Sequence, residues 1–410
     1  MSIFTLRAAA LAAALLPPFL EAAPLSLETA LELAVQRSET ARSARAGVSS
    51  ASEAARAAGQ LPDPMLRAGV DNLPVTGRDR LSTTRDSMTT KRIGISQEWL
   101  SRDKRAARQA AADASVSREV VQAEAAVAET RLQTALAYLD AFYAAEALKL
   151  TSLLEQHAHE ELEASRGRLS SSSGSSQEVL MLTGARGMAE DESADVRQQQ
   201  SAAKLALQRW VGTQADELSA VALVAVPSEQ EFVARYPKVV ATQRDIDVAK
   251  QSAVVASNER KPTWTWEVSY GQRTGYSDMV SVGVTIPLQI ARDQRQDRET
   301  ASKLALVDKA EADLAEATRA ATTEYLALSS DVQRLRERIE RYRAGVVTPA
   351  AQRTATATAS YRSNQTNLVT LFEARHAEVA AQRKLLNLQR DLAKSQAQLA
   401  FKPLTLGAAQ

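Results

Sequence analysis

The chain has 410 residues, with 50 Lys and Arg against 49 Asp and Glu, no cysteine, and only 4% aromatic residues. A formal charge of +1 excludes the basic field that binds a phosphate backbone, and the lack of cysteine excludes disulfides, thiolate metal sites, cysteine nucleophiles and a cysteine-linked lipid. With 15 Gly and 12 Pro in an alanine-rich chain, the composition favours long helices packed along narrow Ala/Leu/Val seams over thick aromatic cores.

Residues 1–23 read as an export signal. Arg7 supplies the positive charge, residues 8–20 the short apolar stretch, and Ala22 and Ala23 the small residues that follow; Pro17 and Pro18 argue against a core helix. No other apolar run approaches the roughly 18 residues of a membrane-spanning helix, so a chain that enters a bilayer must do so as strands.

The remainder reads as one unit written twice, 24–225 and 226–402, with a tail at 403–410. Each unit runs helix, strand, loop, strand, very long helix, tip and return helix. The first holds a β-hairpin at 64–99 and a long helical hairpin at 101–211, the second a β-hairpin at 262–289 and a helical hairpin at 291–401. Arg92-Ile93-Gly94-Ile95-Ser96 answers to Ser281-Val282-Gly283-Val284-Thr285, and Ser101-Arg102-Asp103-Lys104-Arg105 to Ala291-Arg292-Asp293-Gln294-Arg295. Further on, the segment from Val179 to Arg186 aligns with Leu368 to Arg375. Three matches in the same order indicate a duplication.

Period-two alternation marks the strands. Leu66, Ala68 and Val70 share a face opposite Arg67, Gly69 and Asp71, and Ile93 and Ile95 oppose Arg92, Gly94 and Ser96. Trp264, Trp266, Val268 and Tyr270, then Val280, Val282, Val284 and Ile286, form the matching faces of the second hairpin. Its strands are joined by a tight turn at 273–277, the first pair by a polar loop at 72–87. Between residues 101 and 168 no helix breaker occurs before Gly167, so the helix there is about 100 Å long, with Leu136, Leu139, Tyr143, Leu150 and Leu153 along its apolar side. Its counterpart, 291 to about 360, carries Gly345 and Pro349, which predict a bend. The return helices show sevenfold seams: Leu182, Ala189, Val196, Ala203 and Trp210 in one, Leu371, Leu385, Leu392 and Leu399 in the other, with Leu388 between. Residues 212–227 and 403–410 have no such pattern and are expected to pack together beside the rods.

Four strands cannot close a barrel, and open strand edges in lipid leave backbone groups unpaired. Copies must pool their strands, and three copies of a four-stranded unit give 12. The expected fold class is therefore mainly α with a transmembrane β-barrel part: duplicated α-hairpins forming a coiled-coil tunnel, below a 12-stranded barrel shared by a trimer.

The duplicated hairpins, Gly94 and Gly283 within the second strand of each pair, and the tip segments 167–180 and 361–374 together resemble the TolC family of outer membrane efflux factors over roughly residues 26–402. Pro62-Asp63-Pro64-Met65-Leu66 followed by Gly69-Val70-Asp71-Asn72-Leu73-Pro74 is similar to the branch that serves heavy-metal cation pumps. That resemblance implies a homotrimer in the outer membrane of a Gram-negative bacterium, with its helical tunnel in the periplasm. Its partners would be a periplasmic membrane-fusion adaptor, an inner-membrane RND-type pump and outer membrane lipid; nucleic acid is not among them. It also implies a passive tube with no cofactor, gated near Tyr361 and Glu373, with Thr370 where a second carboxylate is often found. Arg168, Leu169, Ser170 and Gly174 of the first tip, and Arg362, Ser363 and Asn364 of the second, become candidate adaptor contacts.

Other features read as structural. His157 and His159 point about 200° apart on a helix and cannot chelate one ion, and His376 stands alone. Trp264 and Trp266 suit a lipid-facing interface, although a soluble core could also use them. Asp103 and Asp293 are expected just inside the long helices, stabilising their N-termini. Tyr361 could link subunits or pack on its own hairpin, and Glu373 could be a ring carboxylate or a solvated residue. No P-loop, dinucleotide fingerprint, metal motif or nucleophile elbow occurs, so no enzyme is expected. A conduit for drugs or secreted proteins, or a periplasmic coiled-coil adaptor or scaffold, remains the alternative.

Overall fold

A computed structural model describes residues 24–215, 217–221 and 225–405; the export-signal reading lies outside them. The first unit runs α1 (Leu27–Arg37), α2 (Glu39–Ala58), β1 (Met65–Asp71), β2 (Thr90–Trp99), α3 (Arg102–Ser170) and α4 (Ser176–Val211). The second runs α5 (Glu229–Ala234), α6 (Pro237–Asn258), β3 (Trp264–Arg273), β4 (Met279–Thr285), α7 (Gln296–Tyr342), α8 (Thr348–Arg362) and α9 (Leu368–Phe401). Each unit therefore opens on two helices rather than one. Ser38 caps α2 through its side chain and so divides it from α1, while Tyr236 in extended backbone before Pro237 divides α5 from α6.

The four strands form one antiparallel sheet in the order β1-β2-β3-β4. Side-chain caps start most of the helices: Ser26, Ser101, Ser175 and Asn367 each accept a backbone N–H from the first turn, and Ser228 forms a capping box with Glu231. Helix α3 is 69 residues long, which at 1.5 Å per residue separates the sheet from the tips by about 100 Å. It packs against α2, α4, α6 and α9 along its length.

The predicted bend is a π-helical turn, Arg343–Val347, between α7 and α8. Pro349 has no N–H for the carbonyl one turn back, and its ring needs room there; a wider turn supplies that room. The Arg343 carbonyl accepts both the Thr348 N–H across this wider turn and, at 3.0 Å, the Thr348 hydroxyl.

Three expectations need correction. Helix α7 begins at Gln296, not 291, so Asp293 precedes the helix and the first-turn acids are Asp297 and Glu299; Asp103 does lie in the first turn of α3. The sevenfold seam of α4 holds through Leu182, Ala189 and Val196, but the next fully buried positions are Leu207 and Val211. Trp210 is only half-buried, with the Arg209 guanidinium 5.2 Å from its ring centre. A straight helix drifts away from a strict seven-residue repeat, and the step from Val196 to Leu207 follows the natural helical period instead. Finally, among the described residues, 217–221 and 403–405 make different contacts. Leu218 pairs with Leu25 in an isolated parallel bridge, and the hydroxyl of the fully buried Tyr138 lies between the carbonyls of Leu25 (2.6 Å) and Ser219 (2.8 Å), sharing its one proton between them. Leu404 instead gives its N–H to Arg235 O at 2.8 Å and packs beside Val121, Ala128 and Val240.

Candidate functional site

Two regions at opposite ends of α3 carry the chemistry that the sequence points to. The first is the sheet. Strand register places Leu66, Ile95, Val268 and Val282 in one row across all four strands, and Ala68, Ile93, Tyr270 and Val280 in the next. All but Ala68 are large and exposed, up to 74% at Val282. Trp99 and Trp264 pair at the helix-proximal end of this face, their ring centres 5.9 Å apart. The opposite face carries Arg67, Gly94, Ser269 and Ser281 in one row, with ion pairs Arg67–Glu267 at 3.2 Å and Arg92–Asp71 at 2.9 Å. One side of the sheet is therefore apolar yet uncovered, and the other polar.

On the polar face β2 and β3 approach closely at Gly94. A Cβ on Gly94 would lie 2.6 Å from Ser269 Cβ and 2.9 Å from the Val268 carbonyl, so only glycine permits the β2–β3 approach. At the matching Gly283 no atom lies within 4 Å, because β4 is a sheet edge. Strands β1 and β4 are both exposed edges with unpaired backbone groups.

Below the sheet, ion pairs bind strands to helices. The Lys104 ammonium, at the start of α3, contacts Glu259 Oε2 and Thr263 Oγ1, and Arg108 reaches Glu259 Oε1 at 3.1 Å. Burial raises the Glu259 carboxyl, but hydrogen bonds from Lys104 and Arg108 outweigh it and hold the group below its ordinary value. Asp103 is likewise lowered, chiefly by its hydrogen bond from Lys261.

The second region is the pair of tips. Backbone bonds Ser171→Gly167, Ser172→Leu169 and Ser173→Arg168 in the first are repeated as Ser363→Ala359, Asn364→Tyr361 and Gln365→Ser360 in the second. Ser172 and Asn364 both take left-handed backbone, at φ 61° and 60°. The two turns are thus copies of each other, and Ser171 answers to Ser363. The sequence match that set Val179 against Leu368 is three residues out of register, since Val179 answers to Leu371. A shift of three keeps a helical residue on nearly the same face, so the apolar pattern could not reveal the slip.

The candidate tip residues fall as follows. Arg168 directs its guanidinium at Glu178 (3.7 Å), Leu169 and Ser170 are exposed, and a Cβ on Gly174 would lie 2.8 Å from Leu169 N. Arg362, Ser363 and Asn364 are exposed. Tyr361 packs on the cluster of Leu154, Ala158, Leu162, Leu182 and Phe372 within its own protomer, and Glu373 is exposed on α9. Thr370 belongs to the cap of α9, both its N–H and its hydroxyl lying 2.9 Å from Asn367 Oδ1.

Sequence reasoning passed over the links that join the two hairpins. Glu178, in the first turn of α4, accepts the N–H of Leu368, the first residue of α9, at 3.3 Å. Glu161 of α3 is only 4% exposed and accepts from Arg375 of α9 at 2.5 Å. Glu192 of α4 pairs with Arg383 and lies 3.5 Å from His376 of α9. His157 faces Glu160 instead, and no three of His, Asp or Glu converge as a metal site among the described residues. No local signal marks such links, because their partners are about 200 residues apart.

A one-sided sheet with two open edges, continued by paired helical hairpins about 100 Å long, defines the fold of TolC-like outer membrane channels. Similar solved structures include the outer membrane protein VceC from Vibrio cholerae, 19% identical with a TM-score of 0.73 over 92% of this chain and 96% of that one. CusC, a protein that forms a transmembrane channel, is 15% identical with a TM-score of 0.76 over 92% and 91%. The outer membrane channel MtrE of Neisseria gonorrhoeae, in its open state, is 16% identical with a TM-score of 0.73 over 92% and 88%. No family model and no curated protein sequence matches the chain. Among the described residues no helix is long and apolar enough to cross a membrane.

Proposed function

We propose that the chain is the outer membrane channel subunit of a tripartite efflux system. The carrying observation is the sheet: a continuous apolar face exposed across four strands, with both edges unpaired, has no stable place in water as a single copy. Joining β4 of one copy to β1 of the next removes the edges, and three copies of the four-stranded sheet give a closed ring of 12. The apolar rows then face lipid, with Trp99 and Trp264 at the interface. The row containing Gly94 and Ser269 faces a water-filled lumen. Helices α3, α4, α7, α8 and α9 extend that lumen across the periplasm, and the tip residues from Arg168 to Gly174 and Arg362 to Asn364 meet an adaptor and, through it, an inner-membrane pump. In this reading the tube is passive and is no enzyme, and the sheet presents Arg67, Glu267, Arg92 and Asp71 to its lumen.

Within that class we favour heavy-metal cations as cargo, on the resemblance of residues 62–74 to that branch. The three Glu373 carboxylates of a trimer would form one ring attracting cations near the constriction. Heated and unheated samples of the detergent-extracted protein test the assembly: a compact trimer that dissociates on boiling is expected, and a water-soluble monomer would end the proposal. Deletion of the gene tests the cargo. Loss of zinc, cobalt, nickel or copper resistance with unchanged drug tolerance is expected, and the reverse pattern would assign a drug conduit.

A further inference from the structure

We propose that Glu161 and Arg375 form a proton-sensitive clasp between the two helical hairpins of one protomer, tighter when the carboxyl is protonated. Glu161 lies on α3 next to Leu162 and one turn from Ala158, both in the apolar cluster shared with Leu368, Leu371 and Phe372 of α9. Oε1 receives the Arg375 guanidinium, whereas Oε2 is buried without a partner, and so is the hydroxyl of Ser165 one turn further along. An ionised carboxylate in this position has one opposite charge beside it and one oxygen closed off without a hydrogen-bond donor, which favours taking up a proton or becoming hydrated.

The charges acting on Glu161 are Arg375 on α9 and Glu160 on its own helix. Towards the cluster α4 presents Val179, Leu182 and Ala185, and α8 presents Ala357 and Tyr361. The other ionisable groups nearby have their own partners: Glu178 with Arg168 and Leu368 N–H, His376 with Glu192, and His157 with Glu160. Burial, opposed by Arg375, raises the Glu161 carboxyl from 4.5 to about 7. A group raised in the closed state stabilises that state fully below its ordinary value, and the stabilisation disappears as pH rises towards 7. Local separation of α3 from α9 hydrates Glu161 and restores its ordinary acidity. The population of that opened state therefore rises by up to about tenfold per pH unit across this window and levels off above it.

Hydrogen exchange on the purified full-length protein in detergent tests this without any transport assay, so it can fail independently of the channel reading. After correction for intrinsic exchange, amides around Glu161 and from Leu371 to Arg375 are expected to gain protection between pH 7.5 and pH 5.5. Glu161→Gln should show the low-pH protection at both values, while His376→Gln and Glu373→Gln keep the wild-type response. Protection independent of pH in the wild type, or a response that survives Glu161→Gln or vanishes in His376→Gln, would overturn the clasp. Should the Gln variant not fold, the infrared band of a protonated carboxyl in the wild type at pH 6 decides the matter, and its absence rejects the proposal.

Discussion

The ammonium of Lys104 lies 2.8 Å from Glu259 Oε2 and 2.8 Å from Thr263 Oγ1, so one buried cation joins the start of α3 to the segment that enters β3. This junction transmits the position of the sheet to a helix whose far end is about 100 Å away. Lys104 is 3% exposed, and removing Glu259 leaves its ammonium with Thr263 alone. Glu259→Ala is therefore expected to destabilise the protein by about 2–3 kcal/mol, below the full range for a buried pair because Glu259 itself is partly exposed. Lys104→Met, which removes the buried charge and keeps the stem, should cost less. Thermal unfolding of both variants in detergent measures the difference.

The same pair predicts an acid response opposite in sign to that of Glu161. Glu259 is held below its ordinary 4.5, so its contribution is complete above that value and is lost as pH falls through the depressed one. Between pH 5 and pH 3 the wild type should lose more stability than Glu259→Gln, as read by melting temperatures across that range.

Gly94→Ala places a methyl group against Ser269 Cβ and the Val268 carbonyl, neither of which can yield without displacing β3. The expected result is failure to assemble the heat-sensitive oligomer. Gly184→Ala, on α4 away from the sheet and with no atom within 4 Å of the new Cβ, should assemble normally. Migration of unheated samples separates the two.

Val282 and Ser281 are neighbours on β4 with opposite orientation. If the apolar face meets lipid, Val282→Arg costs about 2–4 kcal/mol near the bilayer midplane, and Ser281→Arg on the lumen side is tolerated. Folding yields into lipid vesicles measure the contrast; equal yields would reject the assignment of faces.

At the tips, Glu178→Ala leaves the Leu368 N–H without its acceptor from the other hairpin. The loss is expected to be about 1 kcal/mol, concentrated in faster exchange of the first turn of α9. Unchanged protection there would show that Asn367 alone fixes that helix start.

Much of this was written locally. Strand alternation around Ile93 and Val282, the absence of helix breakers from 101 to 166, the Gly345 and Pro349 bend and the polar tips each reflect properties of neighbouring residues, and short-range sterics and burial decide them. The capping serines and Asn367 follow the same logic. The candidate tip residues were legible too, as breaks in helical pattern, although their individual contacts were not.

Only the tertiary structure decided which chain segments meet. A three-residue slip leaves a helical stripe almost unchanged, so the alignment of Val179 with Leu371 emerged from the matching turns, not from apolar spacing. The seam of α4 left its sevenfold grid at Leu207 because a long helix keeps its own period unless a partner supercoils it. Glu161 and Arg375, like Lys104 and Glu259, are ordinary charged residues in the sequence. Their environments arise because packing buries one member of each pair, Glu161 or Lys104, and what that charge then does depends on which opposite charge the fold has brought beside it.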